Sequence, residues 1–143
     1  MKHIIAHTLR RSAWAPLLVL AFYAIAIKGF DAYVRWPDLD IPTHFAGGMA
    51  ITYVYATLLR ESQARLGTIP ALIRSLCALG MTAITAILWE FMEFGTDYFF
   101  GMVTVLGVTD TLSDLFFGLA GGSATLAMLH LRALAPVPAS VET

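Results

Sequence analysis

The chain has 143 residues, is 58% hydrophobic with a mean hydropathy of +0.73, and is only 13% charged, which suits one membrane-embedded domain and leaves no room for a soluble module. Its formal net charge of −1, without any basic stretch interleaved with aromatics, excludes nucleic acid as a partner. Cys77 is the single cysteine, so neither an internal disulfide nor a thiolate metal cluster can form, and no Gly-rich phosphate loop, nucleophile elbow or CxxC pair is present.

Lys2, Arg10 and Arg11 precede the first uncharged stretch, Ser12 to Ile27, and Ala24-Ile25-Ala26 near its end resembles a signal-peptide cleavage site. Cleavage would leave three apolar segments and break the alternation of charge described below, so we read this stretch as a retained, anchored helix. The second, third and fourth uncharged stretches run from Ile41 to Leu59, Ser75 to Trp89 and Leu115 to Leu131. Crossing the hydrocarbon core takes about 20 residues at 1.5 Å each, so most of these segments must draw flanking charges toward the interface. Arginine does this cheaply by snorkelling; Asp and Glu have stems too short for it.

The connections differ in character. Residues 31–43 read as an outer loop with Asp38, Asp40, Pro37 and Pro42, and residues 61–68 as a short polar cytoplasmic loop ending near Pro70. Residues 95–111, apolar but punctuated by Gly95, Gly101 and Gly107, read as a loop lying along the outer interface or re-entering it. Residues 1–132 form one membrane-embedded helical domain, and 133–143, with Pro136 and Pro138, a flexible tail.

With the N-terminus inside, Lys2, Arg10, Arg11, Arg60, Arg65, Arg74 and Arg132 are cytoplasmic and only Lys28 and Arg35 lie outside. That bias predicts an all-α, polytopic bundle of about four transmembrane helices with both termini cytoplasmic. Trp14 at one interface, with Trp36, Trp89 and Tyr98 at the other, fits an aromatic belt.

The acids follow the opposite bias. Asp31, Asp38, Asp40, Glu90, Glu93, Asp97, Asp110 and Asp114, with His44, gather at the outer ends of the apolar segments. The cytoplasmic arginines give a common ruler: His44 lies 16 residues from Arg60, Glu90 16 from Arg74, Asp114 18 from Arg132, and Lys28 17 from Arg11. At 1.5 Å per residue these four sit roughly 24–27 Å above the arginine level, just inside the far edge of a ~30 Å core. Glu90, Glu93 and Asp97 share a helix face at i, i+3, i+7. Asp110 and Asp114 share another, continued by Gly118, Gly121/Gly122 and Thr125, while His44 stands above Gly47/Gly48. These acidic faces are expected to point into the bundle, because carboxylates facing lipid would each cost several kcal/mol.

Clustered carboxylates relieve their repulsion by holding protons or by gathering a cation. The candidates are the Lys28 and Arg35 side chains or a divalent metal held by His44, Glu90, Glu93, Asp114 and Asp110, with Asp31 and Asp97 as further ion-pair or ligand groups. Oxygen ligands with one imidazole suit Mg²⁺, Mn²⁺, Ca²⁺ or Zn²⁺ without choosing among them. If the site is catalytic, Glu90 or Glu93 is the general base, and His44 or Asp114 a metal ligand or orienting group.

Structural explanations compete with each element. Thr111-Leu112-Ser113-Asp114 matches a capping box, Asp110 is itself a candidate cap, and Asp40 before Ile41-Pro42 looks like an N-cap followed by an early proline. His44 suits an interfacial histidine bonded to a loop carbonyl, and Glu93 alone suits contact with headgroups. Phe91, Met92 and Phe94 read as lipid contact or packing. Gly118 and Gly122 form a small-x-x-x-small pattern for close helix approach, within the bundle or between copies in a homo-oligomer. His3, His7 and His130 lie at cytoplasmic ends with no specific role.

The order Asp…His44-Phe45-x-Gly47-Gly48, Arg60-Glu61, Trp89-Glu90-x-x-Glu93, then Asp110-Thr111-x-x-Asp114-Leu115 with Gly118 and Gly121-Gly122, resembles the YjdF-like family of bacterial membrane proteins. More distantly it is similar to VanZ-like proteins. The resemblance covers residues 31–125 and implies a small multi-helix protein of the bacterial inner membrane without an established activity. VanZ-like members are associated with resistance to glycopeptide antibiotics, which implies an envelope role at the outer face. The chain looks shorter than typical YjdF-like members.

Three functions compete. The first is an outer-leaflet carboxylate/histidine site for a divalent cation or an amphiphilic ligand, such as a lipid or cell-envelope precursor. The second is a small proton- or cation-coupled transporter subunit, although only Thr52, Thr57, Thr82, Thr85 and Thr125 lead toward the cytoplasm. The third is a structural protein whose acids cap helices and pair with Lys28 and Arg35.

Overall fold

The computed structural model describes residues 2–30 and 32–134, apart from the side chains of residues 27–29, 33, 34, 37 and 134. The described residues form helices α1 (Lys2–Ser12), α2 (Trp14–Phe30), α3 (Ala32–Arg35), a 3-10 turn (Pro37–Leu39), α4 (Asp40–Leu66), α5 (Ala71–Phe100) and α6 (Val108–Leu134). Helices α5 and α6 are long and apolar enough to cross a membrane. Helices α1 and α2 meet that condition only as a pair, bent by 55° where they join.

The helices run further than the uncharged stretches suggest. At 27 to 30 residues each, α4, α5 and α6 extend about 40–45 Å, well beyond a ~30 Å core, so their charged ends ride on helix rather than loop. Two expected loops are thereby corrected. The outer loop over 31–43 is mostly short helical pieces, and α4 already begins at Asp40. The expected loop over 95–111 shrinks to 101–107, because α5 continues through Gly95 to Phe100 and ends at Gly101, whose φ of 65° supplies a left-handed cap with its N–H bonded to the Asp97 carbonyl. Likewise the cytoplasmic loop contracts to 67–70, with Gly67 at φ 79° closing α4.

Helix α4 touches α1, α2, α5 and α6 and forms the centre of the bundle. Small residues make that centre: Ala50, Thr52, Thr57, Ala78, Thr82 and Thr125 are buried. The large apolar side chains point outward instead, with Ile84, Leu88 and Phe91 on one α5 face 60%, 59% and 68% exposed. A soluble protein would bury such a face; a membrane protein turns it to lipid.

The glycine notches are consumed inside the chain. A Cβ at Gly48 would strike the Gly118 backbone, one at Gly121 the Phe45 carbonyl, and one at Gly122 would lie 2.6 Å from Thr52 Oγ1. The α4–α6 seam thus occupies the glycine face that the sequence also offered to a second copy. Hydroxyls fasten the helices further: Thr52 to Thr82 at 2.7 Å, Tyr55 to Thr85 at 2.8 Å, and Thr125 Oγ1 donating to the Met49 carbonyl at 3.2 Å. At the arginine-rich end, Glu61 accepts from Arg11 at 3.2 Å and pairs with His7 at 3.4 Å, which ties α1 to α4. His7 therefore has a specific partner, contrary to expectation. His130 has one too, with Nε2 3.0 Å from Ser75 Oγ.

Candidate functional site

The start of α4 presents Asp40 and His44 one turn apart, on the same side of the helix. Their side chains meet, with His44 Nε2 3.3 Å from Asp40 Oδ1. Helix α5 runs the other way and brings Glu90 Oε1 to 3.9 Å from His44 Nδ1; α6 brings Asp114 Oδ1 to 3.9 Å from His44 Nε2. Glu90, Glu93 and Asp114 are buried, and His44 nearly so. Asp40, His44 and Asp114 offer three ligand atoms within 4.8 Å of one another, and so do His44, Glu90 and Glu93. One imidazole is common to both sets.

Surrounding hydrogen bonds hold two of the acids. Glu93 Oε1 accepts from Trp89 Nε1 at 2.9 Å, one turn back on α5, and from the Tyr23 hydroxyl of α2 at 3.4 Å. The Tyr23 and Trp89 rings pack edge to face at 5.5 Å. Glu90 accepts a hydrogen bond from the Thr111 side chain at the start of α6.

Four carboxylates from three helices therefore surround one histidine. Among the described residues, their ion pairs within 4 Å all run to His44, and no lysine or arginine shares them. Coulomb repulsion among buried acids is strong where water is scarce, which leaves the group well disposed to a cation. The spacing suits one. Ligands opposite each other across a metal lie about 4.2 Å apart for bonds near 2.1 Å, and about 5 Å apart for Ca²⁺. Only small rotations would bring either triad into that range.

The remaining expected residues divide. Asp110 sits in the first turn of α6, but its Oδ2 accepts the Leu106 N–H at 2.8 Å and secures the turn before the helix. Asp97 shares the acidic face of α5, yet it accepts from the Thr104 hydroxyl at 2.6 Å and the Val105 N–H at 2.8 Å, so it fastens the 101–107 loop. Thr111 to Asp114 do not form the expected capping box, because α6 already begins at Val108 and both residues lie inside it, with Asp114 3% exposed. Asp40 is not a cap either. Leu39 holds that position and makes no side-chain capping bond, while Asp40 turns to His44. Arg35 stands exposed on α3. Asp31, the Lys28 side chain and the tail beyond Leu134 lie outside the described residues.

Sequence reasoning missed Asp40 as a site residue, and missed Tyr23, Trp89 and Thr111 as the groups that hold Glu93 and Glu90. The i, i+4 spacings Asp40/His44 and Trp89/Glu93 were the available signals.

An outward-facing apolar surface, small-residue seams and two apolar spanning helices define a helical membrane protein with a polar cluster inside its bundle. The chain belongs to the family described as "Predicted membrane protein (DUF2238)", whose model it matches over residues 5–134. This agrees, at the level of a membrane-protein family, with the resemblance drawn from the motifs. No curated protein and no solved structure matches the chain.

Proposed function

We propose that this is a small integral membrane protein in which one of the two triads sharing His44, Asp40–His44–Asp114 or His44–Glu90–Glu93, binds a divalent cation near the outer face of a bacterial inner membrane. The observation that carries this reading is the convergence of four carboxylates on one nearly buried imidazole, with no arginine or lysine among the described side chains that pair with them. Four crossings, by α2, α4, α5 and α6 with both termini inside, follow from the charge bias. In this reading α4 counts as a crossing despite its lower hydropathy, because its polar residues face other helices. The ordered motifs support kinship with YjdF-like proteins and, more distantly, VanZ-like ones, and so an envelope role.

Elemental analysis of purified protein, equilibrated with Mn²⁺, Zn²⁺, Ca²⁺ or Mg²⁺ and then desalted, tests the cation. The parent should retain one of these ions. Asp114→Asn combined with His44→Gln should reduce retention more than tenfold, while Asp97→Asn leaves it intact. A parent that holds none of the four, while Glu90→Gln lowers folded yield, would transfer the cluster to a purely structural role. Acid-dependent ion flux in liposomes would favour the transporter reading instead.

A further inference from the structure

Directly below the polar cluster lies a cavity of about 290 Å³. Val19 and Leu20 of α2, Ile51 of α4, and Ala86 and Trp89 of α5 line this half-open cavity, and so does His44. Small-molecule sites run from roughly 300 to 1,000 Å³, so this cavity has the size of a ligand segment rather than of a packing defect.

The walls also exclude water as the natural occupant. Thr82 and Thr85 line the cavity, but their hydroxyls already bond across to Thr52 and Tyr55 and back to their own helix carbonyls. Tyr23 spends its hydroxyl on Glu93. A site needs two to four polar partners per water to stay wet, and below His44 these walls do not offer them. On the arginine ruler His44 lies about 24 Å above Arg60, so the space beneath it falls within the hydrocarbon core, where the surrounding medium is alkyl chain.

We propose that this cavity binds a single alkyl chain of a membrane amphiphile, whose polar end reaches the His44 cluster. The proposal rests on the membrane placement given above and shares His44 with the cation site. The chain enters between α2 and α5, which Tyr23 bridges through Trp89 and Glu93. Burying the chain offers it no greater hydrophobic gain than lipid does, so selectivity comes from the shape of the cavity and from the polar cluster at its mouth.

Gly47 lines the cavity, and a Cβ placed there meets nothing within 4 Å, so larger side chains can fill the space from the wall. The test uses the full chain in phosphatidylcholine nanodiscs doped with a phosphatidylethanolamine that carries a diazirine along one acyl chain. After illumination, labelled residues are mapped by mass spectrometry. The parent should be labelled at Val19, Ile51 or Ala86 as well as at the lipid-facing Ile84 and Leu88. Gly47→Leu, or Leu20→Trp from the opposite wall, should cut cavity labelling roughly tenfold or more while Ile84 and Leu88 stay unchanged.

Labelling confined to Ile84 and Leu88 in the parent, or equal cavity labelling in both filled variants, would overturn the proposal. Metal retention measured on the same samples separates the two readings. If Gly47→Leu keeps the ion but loses cavity labelling, both stand. If the parent holds no ion yet its cavity is labelled and the filled variants are not, the cation reading falls and the chain site stands.

Discussion

The tightest contact in the bundle is between α4 and α6, and five glycines grade it. A methyl added at Gly48 would overlap the Gly118 carbonyl, and one at Gly121 the Phe45 carbonyl, so in both cases the obstacle is backbone. Neither can be relieved by a side-chain rotation; α4 and α6 must separate. Overpacking of a tight seam costs about 1–3 kcal/mol, and an unyielding backbone contact puts Gly48→Ala and Gly121→Ala at the upper end, about 2–3 kcal/mol. That is roughly 30- to 150-fold in the folding equilibrium. Gly122→Ala meets Thr52 Oγ1, a buried hydroxyl on a stiff β-branched stem that is bonded to Thr82, so it should destabilise as well, through a side chain rather than a backbone. At Gly118 the nearest atoms are 3.8 and 3.9 Å away, which is ordinary contact, and at Gly47 there is open space. These two alanines should be neutral, or stabilising by about 0.5–1 kcal/mol through the helix preference of alanine over glycine. Unfolding by SDS titration in mixed micelles, followed by circular dichroism, reads the series. If Gly48→Ala and Gly121→Ala unfold no earlier than Gly47→Ala, the α4–α6 pairing is wrong, and the approach of His44 to Asp114 goes with it.

Asp97→Asn removes a charged acceptor of the Thr104 and Val105 bonds, so amide exchange in residues 101–107 should quicken while bound metal is unchanged. Glu61→Gln releases Arg11 and His7, both more than half exposed, so it should speed exchange in α1 yet move the global unfolding free energy by less than about 1 kcal/mol. Thr82→Val strands the Thr52 hydroxyl and should destabilise by about 0.6–1.7 kcal/mol in the same SDS titration. Thr52→Val with Thr82→Val should recover part of that loss, since no orphan group remains.

Depth was legible in the sequence because a helix converts residue count into distance at a fixed rate. His44, Glu90 and Asp114, 16 to 18 residues from their arginines, do meet. Other features were hidden because they depend on where a helix starts or on how a loop returns. Pro42 makes Asp40 look like a cap, yet α4 begins at Asp40, and only then do Asp40 and His44 lie a turn apart on one helix. Asp97 shares the face of Glu90 and Glu93, but the 101–107 loop folds back and takes its carboxylate, and no periodicity predicts that. The glycines announced a close helix approach without naming the partner; α6 against α4 becomes visible only in three dimensions.

Two fastenings explain why the polar groups coincide. Thr52 and Thr82 touch across the antiparallel pair α4 and α5, and His44 stands eight residues before one as Glu90 stands eight residues after the other. Both therefore rise about 12 Å from the same contact. Gly48 lies against Gly118 across the parallel pair α4 and α6, and His44 and Asp114 each precede their glycine by one turn. The register that packs the small residues thus delivers the ionisable ones to one level. It also accounts for the modest hydropathy of α4. A helix enclosed by four others can place Thr52, Thr57, Gly48 and His44 inward, where hydroxyls find partners and glycines admit a neighbouring backbone. Glu90 and Glu93 ride on α5, which turns Ile84, Leu88 and Phe91 to lipid, so it is the helix face toward α4, and not the whole helix, that must shelter an acid.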